Sequence, residues 1–239
     1  MIDHDEQIAA WWYGEVFRAF QDPGLDFIGG PYVPAWSEAP PGWIPEDYLA
    51  VLGDVDNGRE PRAYDRSFPG ILKGGNAVIR RRVLERAGPY AEYLGPTGEA
   101  RLLSCEDDEM YQRLLDLGAR GQYLPSLVIF HHVSPERLSP GYYRKWCFWR
   151  GVSRGLMDRA HPLPVSYLAG VPRFLYGRAA RGALRLAQRA FGPGRSGRLN
   201  DELALWDLAG YAWGRHIYTL ARFSPWRSRR DDAALTGER

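Results

Sequence analysis

The chain has 239 residues, 45% hydrophobic and 25% charged, the make-up of a folded domain with a sizeable core; its 27 Gly and 18 Pro, spread throughout, exclude coiled-coil, collagen-like and low-complexity readings. Two cysteines, Cys105 and Cys147, cannot form a disulfide framework, and no Cys/His spacing suggests structural zinc, so a reducing compartment is expected. The net charge of +2 hides an acidic front, with 13 Lys/Arg against 22 Asp/Glu up to residue 140, and a basic remainder with 18 against 7.

The first residues lack a basic and an apolar signal region, and no run approaches the ~18 apolar residues of a spanning helix. Ile8, Trp11, Trp12, Val16, Phe17 and Phe20 approximate a 3.6-residue period, which predicts a helix from Glu6 to Phe20 ended by Asp22-Pro23-Gly24. A short strand is expected at Leu25–Ile28. From Gly29 to Gly58 no period is visible, and a long irregular loop is expected, of the kind that tends to be functional. The stretch Gly70–Ile79 reads as a strand interrupted by Gly74-Gly75, and a short helix follows from Arg81 to Arg86, stopped by Gly88-Pro89.

Cys105–Leu117 is the best-defined helix, with Met110, Leu114 and Leu117 on one face and acids in its first turn. Leu127-Val128-Ile129-Phe130 reads as a buried strand that delivers His131 and His132. Helix is expected after Pro140 to about Ala160. Arg178, Arg181, Arg185 and Arg189 then recur opposite Leu175, Leu184, Ala187 and Phe191, a basic amphipathic helix, and Leu203–Phe223 is a further helical stretch. Asp54–Gly58 resembles a calcium loop, but its Gly is one place early and no ligating Glu follows, so it reads as a turn.

Three clusters carry chemistry: Asp3-His4-Asp5, Glu106-Asp107-Asp108-Glu109, and His131-His132. An Asp-x-Asp pair with an imidazole suits Mg²⁺ or Mn²⁺, and a carboxylate opening a helix beside it suits a general base. Each cluster also has an ordinary structural reading: a solvated terminus, acids matched to a helix dipole, a core histidine.

Taken in order, the clusters and their neighbours resemble an inverting family 2 glycosyltransferase of GT-A fold, in the second half of its catalytic domain. The residues that carry the resemblance are the Asp3-His4-Asp5 segment, Gly29-Gly30-Pro31 with Pro34, Trp36, Pro41 and Trp43, and Gly75-Asn76 with Arg80-Arg81 and Gly88. Glu106-Asp107 with Arg113-Leu114 and Gly118, and Tyr123, Pro125 and His131, complete it. The resemblance implies an α/β fold, a partial Rossmann-like mixed sheet with flanking helices over residues 1–155, followed by a basic helical extension over 156–239. It implies transfer of a sugar from a nucleotide-sugar donor to a hydroxyl on a glycan or lipid-linked acceptor, with inversion and with Mg²⁺ or Mn²⁺.

Carried over residue by residue, Asp107 is the base, and Asp3, Asp5 and His131 hold the metal. Gly74, Gly75, Asn76, Glu106, Trp43 and Arg137 contact donor or acceptor, Arg137 through the diphosphate. The family's nucleotide-binding βαβ units, of ~30 residues each, would precede Asp3, where two residues stand. Weak or absent activity of the chain alone is therefore expected unless further sequence or a partner chain supplies them. The alternative is a non-catalytic module that binds a membrane surface, a glycan or a partner transferase. The Arg stripe fits peripheral contact with the inner face of the plasma membrane from the cytoplasm better than it fits nucleic acid, for which no module is recognised.

Overall fold

The computed structural model describes residues 3–44, 46–95, 101–190 and 198–218. Residues Glu6–Ile8 form β1, and helix α1 spans Trp12–Ala19, so the predicted helix starts about two turns late. The reason is long-range pairing: Glu6, Gln7 and Ile8 lie opposite His131, Phe130 and Ile129, and an alternating triplet satisfies a sheet as well as a helix face. Strand β2 is Phe27–Gly29, close to expectation, but the predicted irregular loop contains β3 at Tyr32–Trp36 and a 3₁₀ segment at Glu46–Leu52. Pro34 masks β3 from a reading of the sequence. It is tolerated because β3 lies at a sheet edge.

Next come β4 at Arg62–Tyr64, a 3₁₀ turn at Gly74–Asn76, β5 at Val78–Ile79, α2 at Arg81–Ala87 and α3 at Glu106–Asp116. Gly88 ends α2 at φ 81°, the left-handed region that glycine adopts without cost. The strand expected at Leu127–Phe130 is β7, shifted to Ile129–Val133, and a further strand, β6 at Gly121–Tyr123, lies in the other sheet.

One sheet has the order β1-β7-β3, with β1 antiparallel and β3 parallel to β7. The other runs β4-β6-β2-β5, parallel only between β6 and β2. Phe27, Tyr64, Met110, Leu114 and Tyr123 form the core between the second sheet and α3. Trp12, Ile28, Leu127 and Ile129 form a second core under α1.

Helix α4, Pro140–Met157, is capped by Ser139, whose Oγ accepts from the Tyr142 N–H. A small hairpin, β8 Tyr167–Leu168 and β9 Val171–Pro172, leads to α5 at Arg173–Ala190; α6 spans Arg198–Trp213 and ends in a π turn at Gly214–Tyr218. Phe191 and residues 219–223 of the predicted helices lie outside the described residues. The molecule is thus mixed α/β with a helical C-terminal part, as expected. The residue 155/156 division falls inside α4, whose Tyr143 and Cys147 share a core with Leu52, Val133 and Leu203.

The Arg stripe of α5 is placed differently from expectation. Arg185 and Arg189 reach Asp201 of α6, and Arg178 faces Asp207, whereas Leu184 is 59% exposed. Buried carboxylates on α6 draw the guanidinium groups inward, a partner that helical periodicity alone does not reveal.

Candidate functional site

Strand β7 alternates its two histidines: His131 is buried and His132 exposed, as a period of two dictates. The His131 Nδ1–H donates to the Leu52 carbonyl at 2.9 Å, which leaves Nε2 as an acceptor. Gly53, at φ 84°, lies flat against the ring, and a Cβ there would strike the imidazole. Arg137 donates to His131 Nε2 at 2.9 Å and to Asp5 Oδ2 at 2.9 Å, so its guanidinium bridges the two. Beside this trio opens a cleft of about 480 Å³, lined by Asp5, Arg137, Trp36, His132 and Ser134 among others.

The expected metal ligands are only partly together. His131 Nε2 lies 3.5 Å from Asp5 Oδ2, but Asp3 is exposed, and among the described residues no three His, Cys, Asp or Glu side chains form a cation-holding group. The positive charge between Asp5 and His131 is a guanidinium. The described residues therefore do not fit a three-ligand divalent site.

A second group is built on the Gly74–Asn76 turn. The Gly74 N–H donates to Asp107, and a Cβ at Gly74 would fall on the Asp107 carboxylate, while one at Gly75 would fall on that of Glu6. Only glycines allow both acids to close on this turn. Burial raises the pKa of Asp107 above the ordinary carboxylate range, opposed by the Gly74 N–H and by nearby Lys73. Burial and the adjacent Asp107 charge push Glu106 up to about 7. Cys105, which precedes this run, sits at φ 76°, a strained conformation for a residue with a side chain.

Tyr32 of β3 joins the two groups. Its hydroxyl donates to Glu6, and burial, then the Glu6 and Asp107 charges, hold it far above its ordinary pKa. Its ring lies 6.5 Å from that of His131. Sequence reasoning missed Glu6, Tyr32 and Lys73. Glu6 belongs to the same acidic run as Asp5, but reading it as the start of a helix hid its position opposite His131.

Asn76 has a different placement from a ligand contact. Its Oδ1 accepts from the Trp12 indole at 2.9 Å and its Nδ2 donates to the Leu127 carbonyl at 2.7 Å, fully buried. It anchors the glycine turn rather than facing the cleft. Trp43 packs edge-on against Tyr143 at 5.5 Å, and Trp36, not Trp43, lines the cleft. Asp56 accepts from the Gly58 N–H at 2.8 Å, the turn expected there.

No helix among the described residues is long and apolar enough to cross a membrane. No protein-family profile matches the chain. It is similar to the glucosyl-dolichyl phosphate glucuronosyltransferase of Haloferax volcanii, with 22% identity over 165 residues, 68% of this chain and 51% of that protein. The chain spans about half the length of this curated relative, and the relationship is at the level of a glycosyltransferase.

Proposed function

We propose that the chain carries the catalytic and acceptor-binding part of an inverting glycosyltransferase of the family 2, GT-A type, using a nucleotide-sugar donor and a hydroxyl on a lipid-linked or envelope glycan. The observation that carries this reading is the glycine turn closed on Asp107 and Glu6 next to the Asp5–Arg137–His131 trio, supported by the glycosyltransferase relative.

In the proposed reaction the ionised Asp107 carboxylate takes the proton of the acceptor hydroxyl as its oxygen attacks the anomeric carbon. The carbon–oxygen bond to the diphosphate breaks on the opposite face. The negative charge left on that diphosphate faces the planar fork of Arg137, which is held in place by Asp5 and His131. Burial makes Asp107 a stronger base, and Glu6, hydrogen-bonded by Tyr32, orients the acceptor.

The test is product analysis by mass spectrometry after incubating the full-length protein, or the chain together with a partner that supplies the donor-binding segment, with a panel of nucleotide-sugars and polyprenyl-phosphate-linked glycans. The expected product is an acceptor heavier by one sugar, in the inverted anomeric form, with one nucleoside diphosphate released per transfer. Glycan or donor binding without transfer would favour the binding-module reading instead.

A further inference from the structure

Away from the site described above, the Glu46–Leu52 segment, α4, α5 and α6 enclose a polar pocket of about 420 Å³, lined by Tyr48, Arg150, Arg178, Arg185, Asn200 and Ala204. Its charge is not balanced by the protein. Arg154 and Arg178 share Asp207, at 3.2 and 3.8 Å, while Arg185 and Arg189 share Asp201, at 2.5 and 2.9 Å. Arg150 lies over the Trp146 ring at 5.1 Å and has no carboxylate partner among the described residues. Five guanidinium groups thus surround two carboxylates, and three of the five line one cavity.

This local excess of positive charge, on side chains that are partly exposed, favours an anion at the pocket. The donors are also of the right kind. Guanidinium forks match the oxygens of a phosphate in pairs, and the Tyr48 hydroxyl, which accepts from Arg178 at 3.0 Å, holds that guanidinium at the pocket wall. The pocket has room for more than one phosphate, and its polar lining disfavours a lipid tail inside it.

We propose that this pocket is a binding site for a phosphate or diphosphate monoester, with Arg150, Arg178 and Arg185 as its recognition elements. The ligand chemistry is shared by the headgroup of a phosphate-terminated lipid and by a soluble phosphate compound. Tyr48 lies on the same 3₁₀ segment as Leu52, the residue that fixes His131, so an anion held here is tied to the wall of the cleft. The site stands on its own geometry and does not require that transfer occur.

Isothermal titration of the full chain with inorganic pyrophosphate tests it, using Arg150→Gln, which breaks no ion pair, and Asn200→Asp, an exposed change that adds a negative charge at the pocket. Arg137→Gln separates any binding at the cleft. Saturable binding that persists in Arg137→Gln but weakens at least tenfold in both pocket variants is expected. Equal affinity in the parent and the two pocket variants, or no binding at all, overturns the proposal. Co-sedimentation with phosphatidylcholine vesicles, with and without phosphatidic acid, then identifies the source. Arg150-dependent capture by the phosphatidic acid vesicles, reversed by pyrophosphate, supports a lipid headgroup. Pyrophosphate binding with no vesicle capture supports a soluble ligand of the same site.

Discussion

Burial beside Asp107, with one carboxylate oxygen left without a partner, holds Glu106 at a pKa of about 7 against an ordinary value of 4.5. Between those two values the folded chain retains a proton that the unfolded chain has released. This contribution to stability is complete below pH 4.5 and is lost as the pH rises through about 7. Glu106→Gln removes the penalty, so its melting temperature should exceed the parent's at pH 8 by a few degrees, with the gap shrinking at pH 5; an equal gap at both would show that Glu106 does not titrate near neutrality. Arg137 presents a similar case of charge in a confined place. Arg137→Ala frees Asp5 and His131 Nε2 and removes a repelling charge of about 1 kcal/mol or more, roughly fivefold in affinity. Mn²⁺ should therefore bind the variant more tightly by electron paramagnetic resonance, and an unchanged affinity would mean that no cation enters between these two residues. Asn76→Ala strands the Trp12 indole and the Leu127 carbonyl, and denaturant melts should show a loss of about 1–3 kcal/mol for each buried group left unpaired. At this scale the first-turn acids of α3 were legible from spacing, whereas His131 was singled out by the family resemblance rather than by pattern. The roles of Glu6 and Tyr32 were not, because each depends on a strand partner some 100 residues away or on a glycine turn whose neighbours are set only by the fold.

Helices α4 and α6 meet backbone to backbone through two glycine pairs. A Cβ at Gly151 or Gly155 would meet the Asp207 or Tyr211 carbonyl, and one at Gly210 or Gly214 would meet that of Phe148 or Val152. Main chain cannot move aside as a side-chain tip can. Gly155→Val should therefore cost at least about 1–3 kcal/mol by overpacking. Gly141→Ala, at a position of the same helix with open space, should be neutral or stabilising by up to about 1 kcal/mol. Equal effects in urea melts would contradict the close approach. The four-residue spacing of these glycines was present in the sequence, but spacing alone does not say which helix lies opposite. The helices themselves were legible because they are long and periodic. Strands β1, β3 and β4, of 3 to 5 residues, were not, since pairing across the chain rather than local pattern creates them.

Across the whole molecule the charge asymmetry visible in the sequence has two local expressions. Two acids of the front, Glu6 and Asp107, close on the glycine turn, and three arginines of the remainder, Arg150, Arg178 and Arg185, line a separate pocket among the helices. Between them the Glu46–Leu52 segment touches both, through Leu52 at His131 and Tyr48 at Arg178. In the proposed mechanism Asp107 acts as the base of a sugar transfer. The most direct test compares the parent with Asp107→Asn in a transfer assay, with nucleotide-sugar affinity measured in parallel. A rate lower by about 10²–10⁴-fold at unchanged donor affinity is predicted. Transfer at the parental rate in Asp107→Asn would contradict it.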